Sequence, residues 1–375
     1  MLDRSSIWDT ARRCDGLLSE HRLPHAMVGG VAVCLHGYQE SLRMKTKPLF
    51  LVVLSVLSLT AGVPAADVAP AKPAKTVRLL TIGNSFSQNA TRHLANLTTA
   101  GGHALVHRPI VVGGATLQLH AEKAQKHEQD AQDKAGLYAN GRSLKQELEA
   151  QSWDFVTIQQ ASLKSHDLST YRPYAGQLRD YIQKHASQAK LLVHQTWAYR
   201  CDDPRFDAKS PKPGEPATQE AMYQGLTDAY RTIARELGAR LIPVGDAFHR
   251  ADTDPQWGYR PDAQFDVKNA QPLALPDQTH SLHVGWRWTK QKDGRTTLGM
   301  DGHHANTAGE YLGACVFYEV LFGGSVVGNP FVPPGLDPAY ARFLQETAHE
   351  AVASVVHLRA KESKPPSDRV PTLAP

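Results

Sequence analysis

Between residues 77 and 244 the sequence alternates five short apolar runs with longer stretches of helical spacing, and few folds are compatible with that order. Runs that are apolar at consecutive positions are typical of strands buried on both faces, and helical connections are what parallel strands require. The predicted strands are Val77–Ile82, Ala104–Val112, Asp154–Ile158, Ala189–Thr196 and Arg240–Val244. We therefore predict an α/β fold, a three-layer α/β/α sandwich with a flavodoxin-like, doubly wound parallel sheet of about five strands.

Residues 44–66 have the order of a secretory signal peptide: Met44, the cations Lys45 and Lys47, an apolar run over 49–59, and then small residues. The run is shorter than the ~20 apolar residues of a membrane-spanning helix. A buried core helix or strand is the alternative. We expect cleavage after Ala65 or Ala66, no lipid anchor because no Cys follows, and a secreted or periplasmic protein. Because such a peptide acts at the N-terminus, we expect Met44 to be the true start.

The segments that flank the predicted domain have distinct compositions. Residues 23–38, LPHAMVGGVAVCLHGY, resemble the opening of small nucleotidyltransferase domains, but the metal-binding Asp pair that those enzymes need does not follow. We interpret residues 1–43 as a remnant or spurious extension. Residues 67–76 are predicted to form a Pro/Ala/Lys-rich linker, residues 77–360 the main domain, and residues 361–375 a disordered tail.

Charge and cysteine content bear on two classes of protein. Lys and Arg total 41 against 37 Asp and Glu, a formal net charge of +4, which gives no reason to expect a nucleic-acid partner. Four cysteines in 375 residues exclude a disulfide-built scaffold. Cys201 and Cys315 follow the predicted signal peptide, and the sequence leaves open whether they pair.

A serine stands directly after the first predicted strand, in the run Gly83-Asn84-Ser85-Phe86-Ser87, and a helix follows. A Ser at a strand-to-helix turn exposes its hydroxyl close to a helix N-terminus, as a nucleophile requires. The alternative is that Ser85 or Ser87 caps the helix.

A second polar group, Asp301-Gly302-His303-His304, precedes the last predicted helix of the domain. With a separation of three residues, one short turn can bring the Asp301 carboxylate to the His304 imidazole. The Asp would then orient a His that accepts a proton from a serine hydroxyl. Alternatively, Asp301 caps the helix and both histidines are surface groups.

Candidate donors to an oxyanion follow the second and third strands. Gly113-Gly114 comes after the second, and Gln159-Gln160 ends the third. Strand alternation sends the two Gln side chains to opposite faces, so that only one of them can serve; Gln159 is our first choice and Gln160 the second.

Taken together, the Ser after strand one, the Gly after strand two, the amide after strand three and the Asp-x-x-His before the last helix resemble the SGNH/GDSL hydrolase superfamily. The resemblance covers roughly 77–323. It implies an esterase with Ser85 as nucleophile, His304 as base and Asp301 as its partner. It also implies an oxyanion hole that includes the Ser85 and Gly114 amides.

Two departures from the superfamily pattern are present. Asn84 replaces the usual Asp before the nucleophile, outside the triad. The usual Gly-x-Asn-Asp block is replaced by DFVTIQQAS over residues 154–162. This resembles a less characterised, secreted bacterial branch with Gln in place of Asn, and is similar to sialate O-acetylesterase relatives. We therefore expect the Gln159 amide to complete the oxyanion hole.

The function expected from these residues is hydrolysis of a small-molecule or carbohydrate ester through an acyl-enzyme and without a cofactor. An O-acetylated carbohydrate is one candidate substrate. Asn84 and Trp197 are candidates to line the substrate pocket, although Trp197 is equally compatible with the core. Two alternatives stay open. One is a non-catalytic carbohydrate-binding or surface protein on the same fold. The other is a metal site formed by four histidines, His280, His283, His303 and His304.

Overall fold

The computed structural model describes residues 74–206 and 214–362. The predicted signal peptide, the extension before it, most of the linker and the chain after Glu362 lie outside these residues. β1 begins at Thr76, the last residue of the predicted linker. The final helix continues to Glu362, two residues beyond the predicted end of the domain.

A parallel sheet forms the centre of the fold, in the strand order β2-β1-β3-β4-β5. Its strands are β1 Thr76–Gly83, β2 Ala104–Val111, β3 Phe155–Ile158, β4 Lys190–His194 and β5 Arg240–Ile242. All neighbouring pairs are parallel, and Gly83 pairs with Val111, so that β1 and β2 end side by side. The predicted α/β class and five-strand sheet are therefore confirmed.

Nine α-helices connect or follow the strands in the described part of the chain: α1 Ser85–Ala90, α2 Leu94–Ala100, α3 Leu117–Gln129, α4 Leu144–Leu148, α5 Tyr174–His185, α6 Gln219–Glu236, α7 Val244–Thr253, α8 Thr307–Phe322 and α9 Pro338–Glu362. α8 packs against α1, α2, α7 and α9, whereas α3, α4 and α5 contact one another.

α8 lies at the centre of its helical layer because almost its whole sequence is apolar. All of its residues from Tyr311 to Phe322 are buried. Asn306 caps its N-terminus by accepting hydrogen bonds from the amides of Ala308 and Gly309. Gly323 ends it in the left-handed conformation, at φ 76°. This buried and capped helix therefore supports the chain segment that precedes it, which contains Asp301 and His304.

Two predicted strand ends were wrong. We expected the fourth strand to reach Thr196, but β4 ends at His194. We expected the fifth strand to reach Val244, but β5 ends at Ile242 and α7 begins at Val244. Pro243 occupies the N-cap position of α7. Since Pro has no N–H to donate, it cannot continue a strand ladder, but it is readily accepted where a helix begins.

A two-stranded antiparallel hairpin stands apart from the main sheet, with β6 His283–Lys290 and β7 Thr296–Ala305. Within the described residues, no helix is long and apolar enough to cross a membrane. Cys201 and Cys315 are both free thiols, the first exposed and the second buried.

Candidate active site

Ser85 is the first residue of α1 and follows the carboxyl end of β1, as the sequence predicted. The helix is capped by Asn84, whose Oδ1 accepts a hydrogen bond from the Phe86 amide at 3.0 Å. Ser87 is buried, and its hydroxyl donates to the Asn84 carbonyl oxygen at 2.8 Å. Capping therefore does not occupy the Ser85 hydroxyl.

The Ser85 hydroxyl faces His304 across the fold. Ser85 Oγ lies 2.9 Å from His304 Nε2, although the two residues are 219 positions apart in the chain. His304 Nδ1 lies 3.1 Å from Asp301 Oδ2 and 3.2 Å from Oδ1. The structure thus brings Ser85, His304 and Asp301 into one hydrogen-bonded row, with the carboxylate on the imidazole nitrogen that faces away from the serine.

The hydrogen bonds in this row determine which nitrogen carries the imidazole proton. A carboxylate oxygen only accepts, so the neutral His304 ring donates from Nδ1 to Asp301. Its Nε2 is then the acceptor for the Ser85 O–H, and this is the arrangement that a general base needs.

Asp301 remains ionised in this setting. Partial burial alone would raise the pKa of its carboxyl group, but hydrogen bonds from the His304 side chain and backbone, with nearby imidazole charge, hold that pKa well below its usual value. The His304 amide donates to Asp301 Oδ1 at 3.0 Å. The backbone and the ring of the same histidine therefore fix the carboxylate.

The strand that carries Asp301 and His304 is irregular, and the irregularity places both side chains together. Gly285 pairs with Asp301, and His283 pairs with Ala305. Between these pairs β6 advances by two residues and β7 by four (285 − 283 and 305 − 301). The two extra residues of β7 form a β-bulge. Because of the bulge, the side chains of Asp301 and His304, three positions apart, can lie on the same side of the strand, whereas in a regular strand they would point to opposite sides. The sequence predicted a short turn here, and a strand bulge serves instead.

The bulge is held from the loop after β4. Trp197 Nε1 donates to the His303 carbonyl oxygen at 2.9 Å, and the Arg200 amide donates to the Gly302 carbonyl oxygen at 2.8 Å. These two bonds satisfy carbonyl groups that the hairpin ladder leaves unpaired. They tie the histidine end of the site to the main sheet.

Trp197 does not line a pocket, and that prediction was wrong. Its side chain is fully buried. It stacks on Phe248 with ring centroids 4.5 Å apart and contacts Phe86 at 4.4 Å. Asn84, also predicted to line the pocket, is 2% exposed and is occupied by capping. Both residues are buried next to the site and hold its side chains in position.

Gln159 does not have the position that the expected oxyanion role requires. It is 1% exposed, and its Nε2 donates to Asn84 Oδ1 at 2.7 Å. His194 Nδ1 lies 3.1 Å from Gln159 Oε1 and donates to it, since an amide oxygen only accepts. Gln159 therefore holds the Asn84 side chain in position through the hydrogen bond from its Nε2. The resemblance to the superfamily identified an amide after strand three, but could not reveal that Asn84 and His194 would occupy it.

Gln160 points to the other face, as strand alternation predicted. Its Oε1 accepts from the amides of Leu117 and Ala161, and its Nε2 donates to the Thr170 carbonyl oxygen. Because these bonds fix the start of α3 and a neighbouring loop, Gln160 is structural, and its second-choice oxyanion role was wrong.

The remaining candidates for oxyanion donors are the backbone amides of Ser85 and Gly114. Gly114 lies in the exposed turn after β2 with φ 65°, next to Ala115, whose carbonyl oxygen accepts from the Asn84 side chain at 2.9 Å. Among the described residues, no acceptor for the amides of Ser85 or Gly114 is found. Both amides therefore remain candidates for the predicted role.

Sequence reasoning missed Arg200, which organises the loop behind the bulge. Its guanidinium is 1% exposed and forms a two-pronged pair with Asp202, at 2.6 and 3.0 Å. It also donates to Gln278 at 2.7 Å and lies over the Tyr259 ring. The Arg-x-Asp spacing was visible, but it lay in a Lys-, Asp- and Pro-rich segment that otherwise indicated an exposed loop.

The alternative of a four-histidine metal site is not supported, because the four histidines do not come together. His283 is buried, with its Nε2 on the Ala198 carbonyl oxygen, and His280 packs between Trp257 and Tyr340. Within the described residues, the group whose atoms could hold a metal ion together is Asp301, His303 and His304.

Comparison with known proteins agrees with this fold. A family model described as a domain of unknown function, DUF4886, matches residues 78–257, which include Ser85 and end before Asp301. The chain is similar to a DUF4886 family protein from Bacteroides uniformis, with 24% identity, a TM-score of 0.55, and coverage of 74% of this chain and 95% of that one. Likeness at this identity shows a shared fold.

Two further solved structures are similar at lower scores. One is a proposed SGNH hydrolase from Slackia heliotrinireducens, with 22% identity, a TM-score of 0.39, and coverage of 65% of this chain and 98% of that one. The other is phospholipase A1 from Streptomyces albidoflavus, with 12% identity, a TM-score of 0.34, and coverage of 66% and 98%. No curated protein matches the chain.

Proposed function

We propose that the protein is a serine esterase of the SGNH type that hydrolyses its substrate through an acyl-enzyme. The observation that carries this proposal is the 2.9 Å approach of His304 Nε2 to Ser85 Oγ, with Asp301 on the opposite ring nitrogen. A serine that only caps a helix, or a histidine that is only a surface group, would not require these three side chains to be hydrogen-bonded in series.

In the first half of the reaction, Ser85 Oγ attacks the ester carbonyl carbon while His304 Nε2 takes the hydroxyl proton. The Asp301 carboxylate stabilises the imidazolium that forms. The amides of Ser85 and Gly114 donate to the tetrahedral oxyanion. The tetrahedral intermediate then collapses, the bond to the alcohol oxygen breaks, and the alcohol leaves with the proton from His304.

The second half regenerates the enzyme with the same groups. A water molecule attacks the acyl carbon, and His304 takes one of its protons. The new tetrahedral intermediate collapses and breaks the bond to Ser85 Oγ, which recovers its proton from His304. The products are the free acid and the original serine.

The substrate that we propose is a small-molecule or carbohydrate ester, with an O-acetylated carbohydrate as the first candidate. This part rests on the resemblance of the block that contains Gln159 to sialate O-acetylesterase relatives. We also propose that the protein is secreted or periplasmic, on the basis of the signal peptide at residues 44–66.

Steady-state hydrolysis of a chromogenic acetyl ester tests the proposal. Ser85→Ala and His304→Gln are each expected to lower kcat by roughly 10⁴–10⁶-fold without lowering the melting temperature. Ser87→Ala is the matched control, because this hydroxyl bonds only to the Asn84 carbonyl oxygen, and it is expected to keep most of the activity. A folded wild-type protein that hydrolyses no ester in an acetyl-sugar and aryl-ester panel would favour the non-catalytic alternative.

A further inference from the structure

His303 stands beside the proposed triad and has no part in the reaction described above. Its Nδ1 lies 3.2 Å from Asp301 Oδ1, and its ring centroid is 4.2 Å from that of His304. Despite this proximity, Nδ1 of His303 is buried and makes no hydrogen bond within the described residues. Because this nitrogen has no hydrogen-bond partner within the described residues, it is available to a third group.

Three potential ligand atoms converge at this point. A carboxylate oxygen of Asp301 and one ring nitrogen each of His303 and His304 lie within 4.8 Å of one another. Zinc binds imidazole nitrogen at about 2.0–2.1 Å and carboxylate oxygen at about 2.0–2.2 Å, so that neighbouring ligand atoms in a tetrahedral site lie roughly 3.3 Å apart. The distances from Asp301 to the Nδ1 atoms of His303 and His304 are 3.2 and 3.1 Å.

The side chains of the site are partly exposed, although Nδ1 of His303 itself is buried. The side chains of His303 and His304 are 27% and 33% exposed, and that of Asp301 is 12% exposed. Two imidazoles and one carboxylate form a mixed nitrogen and oxygen donor set that suits Zn²⁺ far better than Mg²⁺ or Ca²⁺, which prefer oxygen ligands.

We propose that Asp301, His303 and His304 form an inhibitory binding site for Zn²⁺. The metal takes Nδ1 of His304, so that the proton of the neutral ring moves to Nε2 and no proton is lost. Nε2 then faces Ser85 Oγ as a donor and can no longer accept the hydroxyl proton. The inhibition therefore depends on the proposed function, whereas the binding of the metal does not.

One neighbouring charge opposes the ion and provides an independent test. Arg287 Nη2 lies 3.5 Å from Asp301 Oδ2, and its side chain is 58% exposed. A cation at the carboxylate is repelled by this guanidinium, although solvent screens the effect. Arg287→Gln is therefore expected to tighten Zn²⁺ binding severalfold, whereas His303→Gln weakens it.

Calorimetric titration with zinc chloride at pH 7.5 measures binding without reference to catalysis. One equivalent of Zn²⁺ is expected to bind to the wild type and to Ser85→Ala with similar affinity. His303→Gln is expected to raise Kd by at least about tenfold, since even groups outside the ligand set cost 10–100-fold. His280→Gln is the matched control and is expected to leave Kd unchanged. Equal affinity in wild type and His303→Gln would overturn the site, as would no binding to the wild type.

Ester hydrolysis in the presence of zinc then tests the inhibition. The wild type is expected to lose activity at the calorimetric Kd and to regain it with EDTA. His303→Gln, measured against its own zinc-free rate, is expected to need at least about tenfold more zinc for the same fractional loss. Hydrolysis that continues unchanged in the zinc-saturated wild type would overturn the inhibitory role.

Two further results separate the failures. If the metal binds as expected but no ester is hydrolysed, the proposed function fails and the metal site stands. Anomalous diffraction from zinc-soaked crystals covers the case in which His303→Gln does not fold. A peak at about 2.0–2.2 Å from the three ligand atoms supports the site, and a peak elsewhere overturns it.

Discussion

Removal of the Gln159 side chain separates two roles for this residue, support of Asn84 and stabilisation of the oxyanion. In the structure its amide bridges Asn84 Oδ1 at 2.7 Å and His194 Nδ1 at 3.1 Å. Its Cδ would lie 2.9 Å from a Cβ placed on Gly83, so that it packs tightly beneath the end of β1. Gln159→Ala deletes this bridge.

The size of the effect follows from the groups that are left behind. The His194 N–H, in a fully buried ring, loses its acceptor, which costs about 1–3 kcal/mol. The loss of the Gln159 donor at Asn84 Oδ1 costs less free energy, because this oxygen still accepts a hydrogen bond from the Phe86 amide. The deleted methylene adds about 0.8 kcal/mol of lost burial. We expect the free energy of unfolding to fall by about 2–4 kcal/mol.

The assay pairs urea unfolding, followed by tryptophan fluorescence, with kcat for a chromogenic acetyl ester. Our account predicts the stability loss together with a fall in kcat of about tenfold or less, as Asn84 shifts beside Ser85. An oxyanion donor behaves differently, because its loss lowers the rate by about 10²–10³ and leaves the fold intact. An unchanged urea midpoint with a rate loss of that size would refute our reasoning about Gln159.

Three further predictions use other parts of the structure. Trp197→Phe keeps the ring stack but leaves the partly buried His303 carbonyl oxygen without its donor, so we expect the free energy of unfolding to fall by about 1–3 kcal/mol and kcat to fall. Urea titration and ester hydrolysis measure these effects, and an unchanged protein would show that the bulge does not need this hydrogen bond. Burial lowers the pKa of seven described histidines, and of four of them to about 4 or 3. Between about pH 6.5 and 4 the unfolded chain therefore binds protons that these four do not bind in the native fold, and stability should fall as pH decreases, by about 1.4 kcal/mol per unit for each of the four. Burial raises the pKa of Asp252 to about 7, so this carboxyl group holds a proton in the native fold over the same pH range and offsets the effect of one of the four histidines on stability. Urea midpoints that stay constant at pH 7, 6 and 5 would contradict the predicted loss of stability. The four histidines are His107, His120 and His283, with pKa values of about 4, and His194, at about 3. N-terminal sequencing of exported protein is expected to begin at Ala66 or Asp67, and recovery of residues 1–43 would contradict it.

The sheet could be predicted because the information for it is local. An apolar run such as Leu79–Ile82 is buried on both faces of the sheet, and its composition reflects this directly. The strand end near Val244 could not be placed, because the segment after Pro243 has apolar residues at spacings compatible with either a strand or a helix. α7 is helical there because Val244, Ala247, Phe248 and Ala251 bury one helical face together.

Part of the candidate site could likewise be predicted from local sequence, and part could not. Ser85 and the pair Asp301 and His304 occupy short sequence motifs whose side chains meet at one end of the sheet. What Gln159 contacts depends on Asn84 and His194, which lie 75 and 35 residues away in the chain. Strand alternation predicts the face that a side chain occupies, but the partner that fills its hydrogen bonds is decided by packing across the whole fold.

Covalent labelling by a fluorophosphonate probe, followed by peptide mapping, tests the central claim that Ser85 is a nucleophile activated by His304. The wild type is expected to gain one adduct on the peptide that contains Ser85, Ser85→Ala to gain none, and His304→Gln to react far more slowly, because its serine keeps its proton. An adduct on a different serine would contradict the account, as would labelling of Ser85→Ala at the wild-type rate or no labelling of the folded wild-type protein.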